Sequence, residues 1–432
     1  MASLEYIHYI PHRPIEAAGQ LTWEQDKACK PIDRLPQIFW SDGSPWLEPN
    51  LYAHHRATNG MVSIDTVNSN LGHLHKYAQW LEEQDLDWRY FPTLERDRVL
   101  IRWRKRLMEL RDKYGLLASS TATQRMSATV NFYKFAKAHD LIGSDLPMWR
   151  DKLVPHRFHD TNGFERTMLI ASTDLAIPNR ARPGLQLEGG LEPLTEDQMH
   201  QLLAFTAQKG NTSRELHLML LLGFFTGARI QTITDLKRGT LDNAVPHPMV
   251  PGMFLLAVGP GHRPHVATKF DVQGRIMVPD WLLDELRSYV TDTARLKREI
   301  KAAPERKDLI FLTKSGNSYA DREKSSGTAV DGAVSKLRKK ATAAGMKFAE
   351  HFHFHMTRAT FGTWLTSLLL SMKDITEKEV LGFVRDAMLH KNEADTLRYI
   401  RFVKETKMKI QVANEFSQAF LGLRSRLGNN HV

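Results

Sequence analysis

From Ser63 onward the apolar residues return at helical spacing. Val67, Leu71, Leu74, Tyr77, Ala78 and Leu81 fall on one face, with Ser63 placed as a cap and Asp65 in the first turn. The same period predicts a second helix from Thr93 to about Tyr114, stopped by Gly115. It predicts a third from about Ser120 to Ala138, with Ala128, Phe132, Phe135 and Ala136 on its apolar side. These helices suggest a compact helical domain over residues 61–154. Upstream, Ile10-Pro11-His12-Arg13-Pro14 and Ser44-Pro45-Trp46-Leu47 interrupt any period, so residues 1–60 read as an irregular N-terminal arm.

Between Pro155 and Leu191 the period weakens. Pro178, Pro183, Gly184, Gly189 and Gly190 stand there with Arg180 and Arg182, as expected of an interdomain linker over 155–190. A further domain then spans 191–432. It opens at Leu194-Thr195-Glu196-Asp197, a capping residue followed by an acidic first turn, and Glu215 to Phe225 is apolar nearly all round, as for a buried helix. Met253–Val258 and Arg275–Val278 read as short strands joined by a glycine-rich basic segment that contains Lys269. Asp308–Leu312 resembles one more strand, and helical patterns resume from Ala329, including Lys409 to Leu423 with Ile410, Val412, Phe416, Phe420 and Leu423. The fold class is mainly α with a small β-sheet, without internal repeats.

A chain of 432 residues exceeds what one core usually organises, which agrees with this division. The formal charge of +10 favours a polyanionic partner through counterion release. The lone Cys29 excludes an internal disulfide framework and multi-cysteine metal sites and fits a reducing cytoplasm. Neither an export signal nor a long apolar run is present, so no membrane partner is expected.

Candidate chemistry lies toward the C-terminus. His355-Met356-Thr357-Arg358 places an imidazole and a guanidinium one helical turn apart, suited to joint contact with one anion. His390 and Tyr399 follow, and Thr226-Gly227-Ala228-Arg229 adds a second arginine upstream. Two guanidiniums, two imidazoles and a phenol suggest phosphodiester chemistry without a metal or other cofactor. His351 and His353 lie beside His355, but their alternate spacing would point them to different faces of a helix, which disfavours a metal site. On the second helix Arg102, Arg104, Lys105 and Arg106 surround Trp103. They read as contacts to DNA phosphates or as a solvated face.

The ordered set Arg229, Lys269, His355, Arg358, His390 and Tyr399 resembles the catalytic series of the tyrosine recombinase (phage integrase-like) family. The resemblance covers about Leu191 to Val403 and, more loosely, Ser63 to about Arg150. It implies a helical core-binding domain joined to a mixed α+β catalytic domain, the two clamping double-stranded DNA, and a homotetramer assembled on two DNA sites. In that setting Arg229 and Arg358 would bind the non-bridging oxygens of the scissile phosphate bidentately, and His390 would hydrogen-bond it. Tyr399 would attack phosphorus, His355 would accept its proton, and Lys269 would protonate the departing 5′-oxygen, leaving the tyrosine on the 3′-phosphate. The family usually carries an acidic residue three positions after the first arginine. Thr232 stands there, with Asp235 as a nearby substitute, and Leu389 replaces the glycine before the last histidine. The implied activity is site-specific DNA recombination or integration for a mobile genetic element. The rival readings are relaxation by a type IB topoisomerase and a non-catalytic DNA-binding scaffold of the same fold. The helix from Lys409 to Leu423 would pack either in its own subunit or on a neighbouring protomer.

Overall fold

A computed structural model describes residues 1–428 apart from 18–19, 61, 160–164, 180–186, 188–189 and 321–327, and the side chains of 17, 156–159, 165–166, 410 and 413–428 also lie outside the described set. The chain divides into two compact units, Met1–Pro183 and Gly184–Val432.

In the first unit the predicted irregular arm is ordered. β1 (Ser3–Tyr9) pairs antiparallel with β4 (Ile32–Phe39), and β2 (His12–Ala17) pairs with β3 (Gln20–Gln25). α1 (Leu47–Thr58) follows within the same stretch. Prolines obscured this arrangement because the partner of each residue in β1 lies some thirty positions away, where no local period reveals it. The buried Asn50 side chain accepts from Ile38 N at 2.7 Å and donates to Ile38 O at 3.0 Å, so α1 satisfies backbone of β4.

The expected helices are α2 (Ile64–Glu83), α3 (Val99–Asp112) and α4 (Ser119–Ala138). Ser63 caps α2 by accepting from Thr66 N at 3.3 Å. Their shared core is aromatic: Trp46, Tyr77, Trp88, Trp103, Phe132 and Tyr133 are buried together. Polar tips pair within that core, Tyr77 Oη with Tyr133 Oη at 2.8 Å and Trp103 Nε1 with Thr129 Oγ1 at 3.2 Å, whereas the buried Trp46 Nε1 has no partner among the described residues. Burial pushes both phenols up, away from ionisation.

The boundary between the two units, at Pro183/Gly184, falls in the stretch read as a linker, but that stretch is not irregular throughout. β5 (Asp151–His159) and β6 (Glu165–Thr173) form an antiparallel ribbon that starts just before it and runs into it. Leu153, Val154, Leu169 and Ile170 are exposed on this ribbon, two on each face, so the alternation that marks a half-buried strand is missing. The linker residues Arg180, Arg182, Pro183, Gly184 and Gly189 lie outside the described residues.

The second unit opens with α5 (Glu196–Ala207), started by a capping box between Thr195 and Gln198. The buried α6 (Arg214–Thr226), α7 (Ile230–Thr234) and α8 (Arg238–Asp242) follow. A small antiparallel sheet contains β7 (Val245–Pro246), β8 (Met253–Val258) and β9 (Gly274–Pro279), in that order. α9 (Asp280–Val290), α10 (Thr293–Glu299), α11 (Ala329–Ala343), α12 (His355–Ser371), α13 (Glu377–Ala387) and α14 (Glu393–Gly428) complete it. The predicted strand at 308–312 is not one, since only isolated bridges occur at Leu309 and Leu312. The buried Arg295 donates to Lys307 O, Leu309 O and Ile310 O, occupying carbonyls that a ladder would use.

The C-terminal helix predicted at 409–423 lies within α14, where Val412 is exposed. The side chains of Ile410, Phe416, Phe420 and Leu423 lie outside the described residues. Among the described residues no helix is long and apolar enough to cross a membrane.

Candidate active site

Three segments meet around Arg358. α6 ends at Gly227, whose φ of +64° is the left-handed cap that releases the chain toward Arg229 at the start of α7. A Cβ at Gly227 would lie 2.3 Å from the Phe361 ring, so close approach as well as dihedral requires glycine there. Arg358, one turn into α12 and only 2% exposed, donates from Nη1 to Gly227 O and from Nη2 to Met388 O, both at 2.6 Å. Arg229 Nη1 donates to Leu389 O at 3.3 Å. Both guanidiniums therefore converge on adjacent carbonyls of the turn between α13 and α14.

Their hydrogen bonding differs. Arg358 is held by two short bonds, whereas the buried Nε of half-buried Arg229 has no partner among the described residues. A buried guanidinium nitrogen left unpaired is costly, and the natural complement is an anion that enters the site.

The same turn presents His390. Leu389 adopts φ +50°, so the left-handed conformation expected of glycine is kept by a leucine, at about 1–2 kcal/mol of backbone strain. Its side chain fills the space over Gly274 on β9, where an added Cβ would meet Leu389 Cδ2 at 2.3 Å. His390 is buried, its Nδ1 lies 2.8 Å from Thr396 Oγ1, and its ring stacks on Tyr399 with centroids 5.8 Å apart. Tyr399 on α14 is 0% exposed and packs with Met388, Phe361, Val380 and Val384. Gly362 of α12 leaves room for it, since a Cβ there would lie 2.5 Å from Tyr399 Cε1.

Lys269 is exposed on a one-turn 3-10 segment, Lys269–Asp271, between β8 and β9. Phe270 and Asp271 both have positive φ, +64° and +53°. Lys269 Nζ lies 5.1 Å from the Phe270 ring centroid and Lys391 Nζ lies 5.7 Å from it, so two cations from different segments share one ring.

Arg229, Lys269 and Arg358 line one narrow cleft with Thr232 and Leu389. His355, half-buried at the first position of α12, is not part of that lining. His351 and His353 are exposed, and no group of three or more His, Cys, Asp or Glu among the described residues is arranged to hold a metal ion. In the first unit Arg102, Arg104 and Arg106 are half-buried and Lys105 is exposed on α3, around the buried Trp103.

One expectation fails. Asp235 does not substitute for an acid beside Arg229, because its carboxylate accepts from Ala267 N at 2.6 Å and Lys237 Nζ at 3.1 Å. Sequence reasoning also passed over Lys391 and Thr396. Lys391 adjoins His390 in the chain, but only the folded turn carries it to Phe270.

Residues 192–406 match the model of the phage integrase family. Among solved structures, the chain is similar to the XerH site-specific recombinase bound to a palindromic difH substrate in a post-cleavage complex, at 15% identity and TM-score 0.51, covering 85% of this chain and 84% of that one. The Tn1549 transposon integrase in complex with circular intermediate DNA matches at 17% identity and TM-score 0.49, covering 84% and 98%. A lambda integrase dimer bound to a COC′ core site matches at 12% identity and TM-score 0.47, covering 82% and 76%. No curated protein sequence matches this one. With the family model spanning the segment that holds both arginines, the strained turns and the tyrosine, the chain belongs to the phage integrase family, the tyrosine-type site-specific DNA recombinases.

Proposed function

We propose that this recombinase cuts and rejoins double-stranded DNA through a covalent bond between Tyr399 and the 3′-phosphate, in the service of a mobile genetic element. The observation that carries the reading is the convergence of Arg229 and Arg358 on the Met388–Leu389 turn, directly before the stacked His390 and Tyr399. Arg229, with its unpaired Nε, receives a non-bridging phosphate oxygen, and Arg358 adds fixed positive charge where the pentacoordinate transition state gains negative charge. His390 hydrogen-bonds the phosphate.

The phenol oxygen of Tyr399 bonds to phosphorus while the bond to the 5′-oxygen breaks. His355 takes the phenol proton, and Lys269 Nζ gives a proton to the departing 5′-oxygen. The phosphotyrosyl link keeps the ester bond, so a 5′-hydroxyl from another strand reverses the step without net hydrolysis. Tyr399 is fully buried in this conformation. Cleavage therefore includes a rearrangement that brings it to the phosphate, coupled to DNA binding.

We assign the helical region 61–154 to binding of the DNA core site, with Arg102, Arg104, Lys105 and Arg106 on backbone phosphates. The catalytic domain is assigned to 191–432, and the active assembly to a homotetramer on two DNA sites in the cytoplasm. The test incubates the full chain with nicked duplexes tiled across the DNA flanking its own gene and looks for an adduct that survives denaturation. An adduct present in the wild type and absent in Tyr399→Phe supports the reading. An adduct that persists in the variant removes Tyr399 as nucleophile.

A further inference from the structure

We propose that Asp235 and Lys237 are positioning residues for Lys269, forming a clip that ties the general-acid turn to the helix of Arg229. The inference rests on the recombinase reading given above.

α7 is five residues long, with Arg229 at its N-cap and Asp235 at its C-cap. Asp235 Oδ2 accepts from Ala267 N at 2.6 Å, two residues before Lys269. The same oxygen accepts from Lys237 Nζ at 3.1 Å, and Lys237 Nζ also donates to His265 O. On the other edge of this extended segment, Gly259 N donates to Val266 O at 2.9 Å. Backbone groups of successive residues in an extended chain point to opposite edges. Val266 thus pairs with the end of the β8 strand, while His265 and Ala267 find their partners in two side chains that stand in for a missing strand.

The clip acts on a turn with a strained backbone. Phe270 and Asp271 are consecutive non-glycine residues at φ +64° and +53°, a conformation that persists only where the surroundings impose it. Within the turn, Thr268 Oγ1 donates to Val272 O at 2.7 Å and Asp271 N to Thr268 O at 3.2 Å. The Asp235 and Lys237 bonds fix where that turn stands relative to Arg229. A short helix that carries the phosphate-binding arginine at one end and the anchor of the proton donor at the other couples two groups that act on the same phosphate.

The experiment compares Asp235→Ala, Lys237→Met and Lys269→Ala with the wild-type full chain on two nicked duplexes that differ in one atom. One has the ordinary 5′-bridging oxygen at the cleavage site and the other has sulfur there. With oxygen, the P–O pair leaves with the 5′-oxygen, which takes the Lys269 proton. With sulfur, the P–S pair leaves as a thiolate that needs no proton. Asp235→Ala is expected to slow adduct formation about 100-fold on the oxygen substrate and to come within about 3-fold of wild type on the sulfur substrate, as Lys269→Ala does. Asp235→Asn, which keeps an acceptor for Ala267 N, is expected to fall between. Hydrogen exchange of the Ala267 amide, read without DNA, is expected to be slow in wild type and fast in Asp235→Ala. Equal slowing on both substrates, or unchanged rates with Ala267 still protected, overturns the clip. A wild type that forms no Tyr399 adduct on either duplex overturns the recombinase reading and this inference with it. A loss of Ala267 protection without change in the oxygen rate overturns the clip alone.

Discussion

Arg229 and Arg358 are proposed to serve the same phosphate, yet their surroundings predict different consequences of removal. Arg358→Met leaves Gly227 O and Met388 O, each bound at 2.6 Å in the wild type, without their donor inside a buried site. Each orphaned acceptor costs about 1–3 kcal/mol, so about 2–6 kcal/mol of stability is at stake. At about 2–4 °C per kcal/mol for a domain of this size, the Tm of the second unit should drop by roughly 5–20 °C. Arg229→Met forfeits one 3.3 Å bond, about 0.5–1.5 kcal/mol, and removes an Nε that was already unpaired, so its Tm should drop by no more than about 6 °C. In the adduct assay both variants should lose at least about 100-fold, the usual cost of removing one transition-state donor. The pair is measured by calorimetry and by adduct rate on the same preparations. Equal destabilisation of the two variants, or an unchanged Tm for Arg358→Met, would refute the distinction between a structural guanidinium and an open one.

The strain at Leu389 gives a second prediction. Leu389→Gly relieves about 1–2 kcal/mol of left-handed backbone strain and gives up about 1–1.5 kcal/mol of half-buried side chain, so its denaturant midpoint should stay near wild type, whereas Leu389→Val should lower it clearly. Gly227→Ala meets both a positive φ and the Phe361 ring, and should lose at least about 2 kcal/mol by chemical denaturation, together with DNA cleavage. If Arg102 and Lys105 contact phosphates, changing either to Gln should reduce the slope of log affinity against log salt by about 0.9, and an unchanged slope would assign them to a solvated face. Burial lowers the pKa of His54, His73, His75 and His217, so the unfolded chain takes up protons first as pH falls. Tm should therefore decline below about pH 6.5, and less steeply in His217→Gln.

Local features of the fold were legible because helices report themselves locally. Ser63 and Thr195 cap where their neighbours predicted, and the apolar period from Val67 to Leu81 is the buried face of α2. What escaped reading depends on partners distant in the chain. β1 is paired by β4, the ribbon of β5 and β6 exposes apolar side chains on both faces, and Arg295 takes carbonyls of the apolar run at 308–312 that read as a strand. The site divides in the same way. Residue types in order nominated Arg229, Lys269 and Arg358, and folding gathers these three around one cleft. The nominal substitution at Thr232 pointed to Asp235, but a one-dimensional pattern could not tell that this carboxylate faces Ala267 rather than the arginine. Nor could it tell that Tyr399 is sealed in the core, which only the packing of α12, α13 and α14 decides.

The central claim is a Tyr399-linked 3′-phosphate, and its most direct measurement is peptide mapping of the trapped adduct by mass spectrometry after nuclease trimming. The account predicts a nucleotide 3′-phosphate on the peptide containing Tyr399, with a free 5′-hydroxyl on the released strand. A 5′-phosphate link, attachment to any other residue, or DNA cut without a protein bond would contradict it.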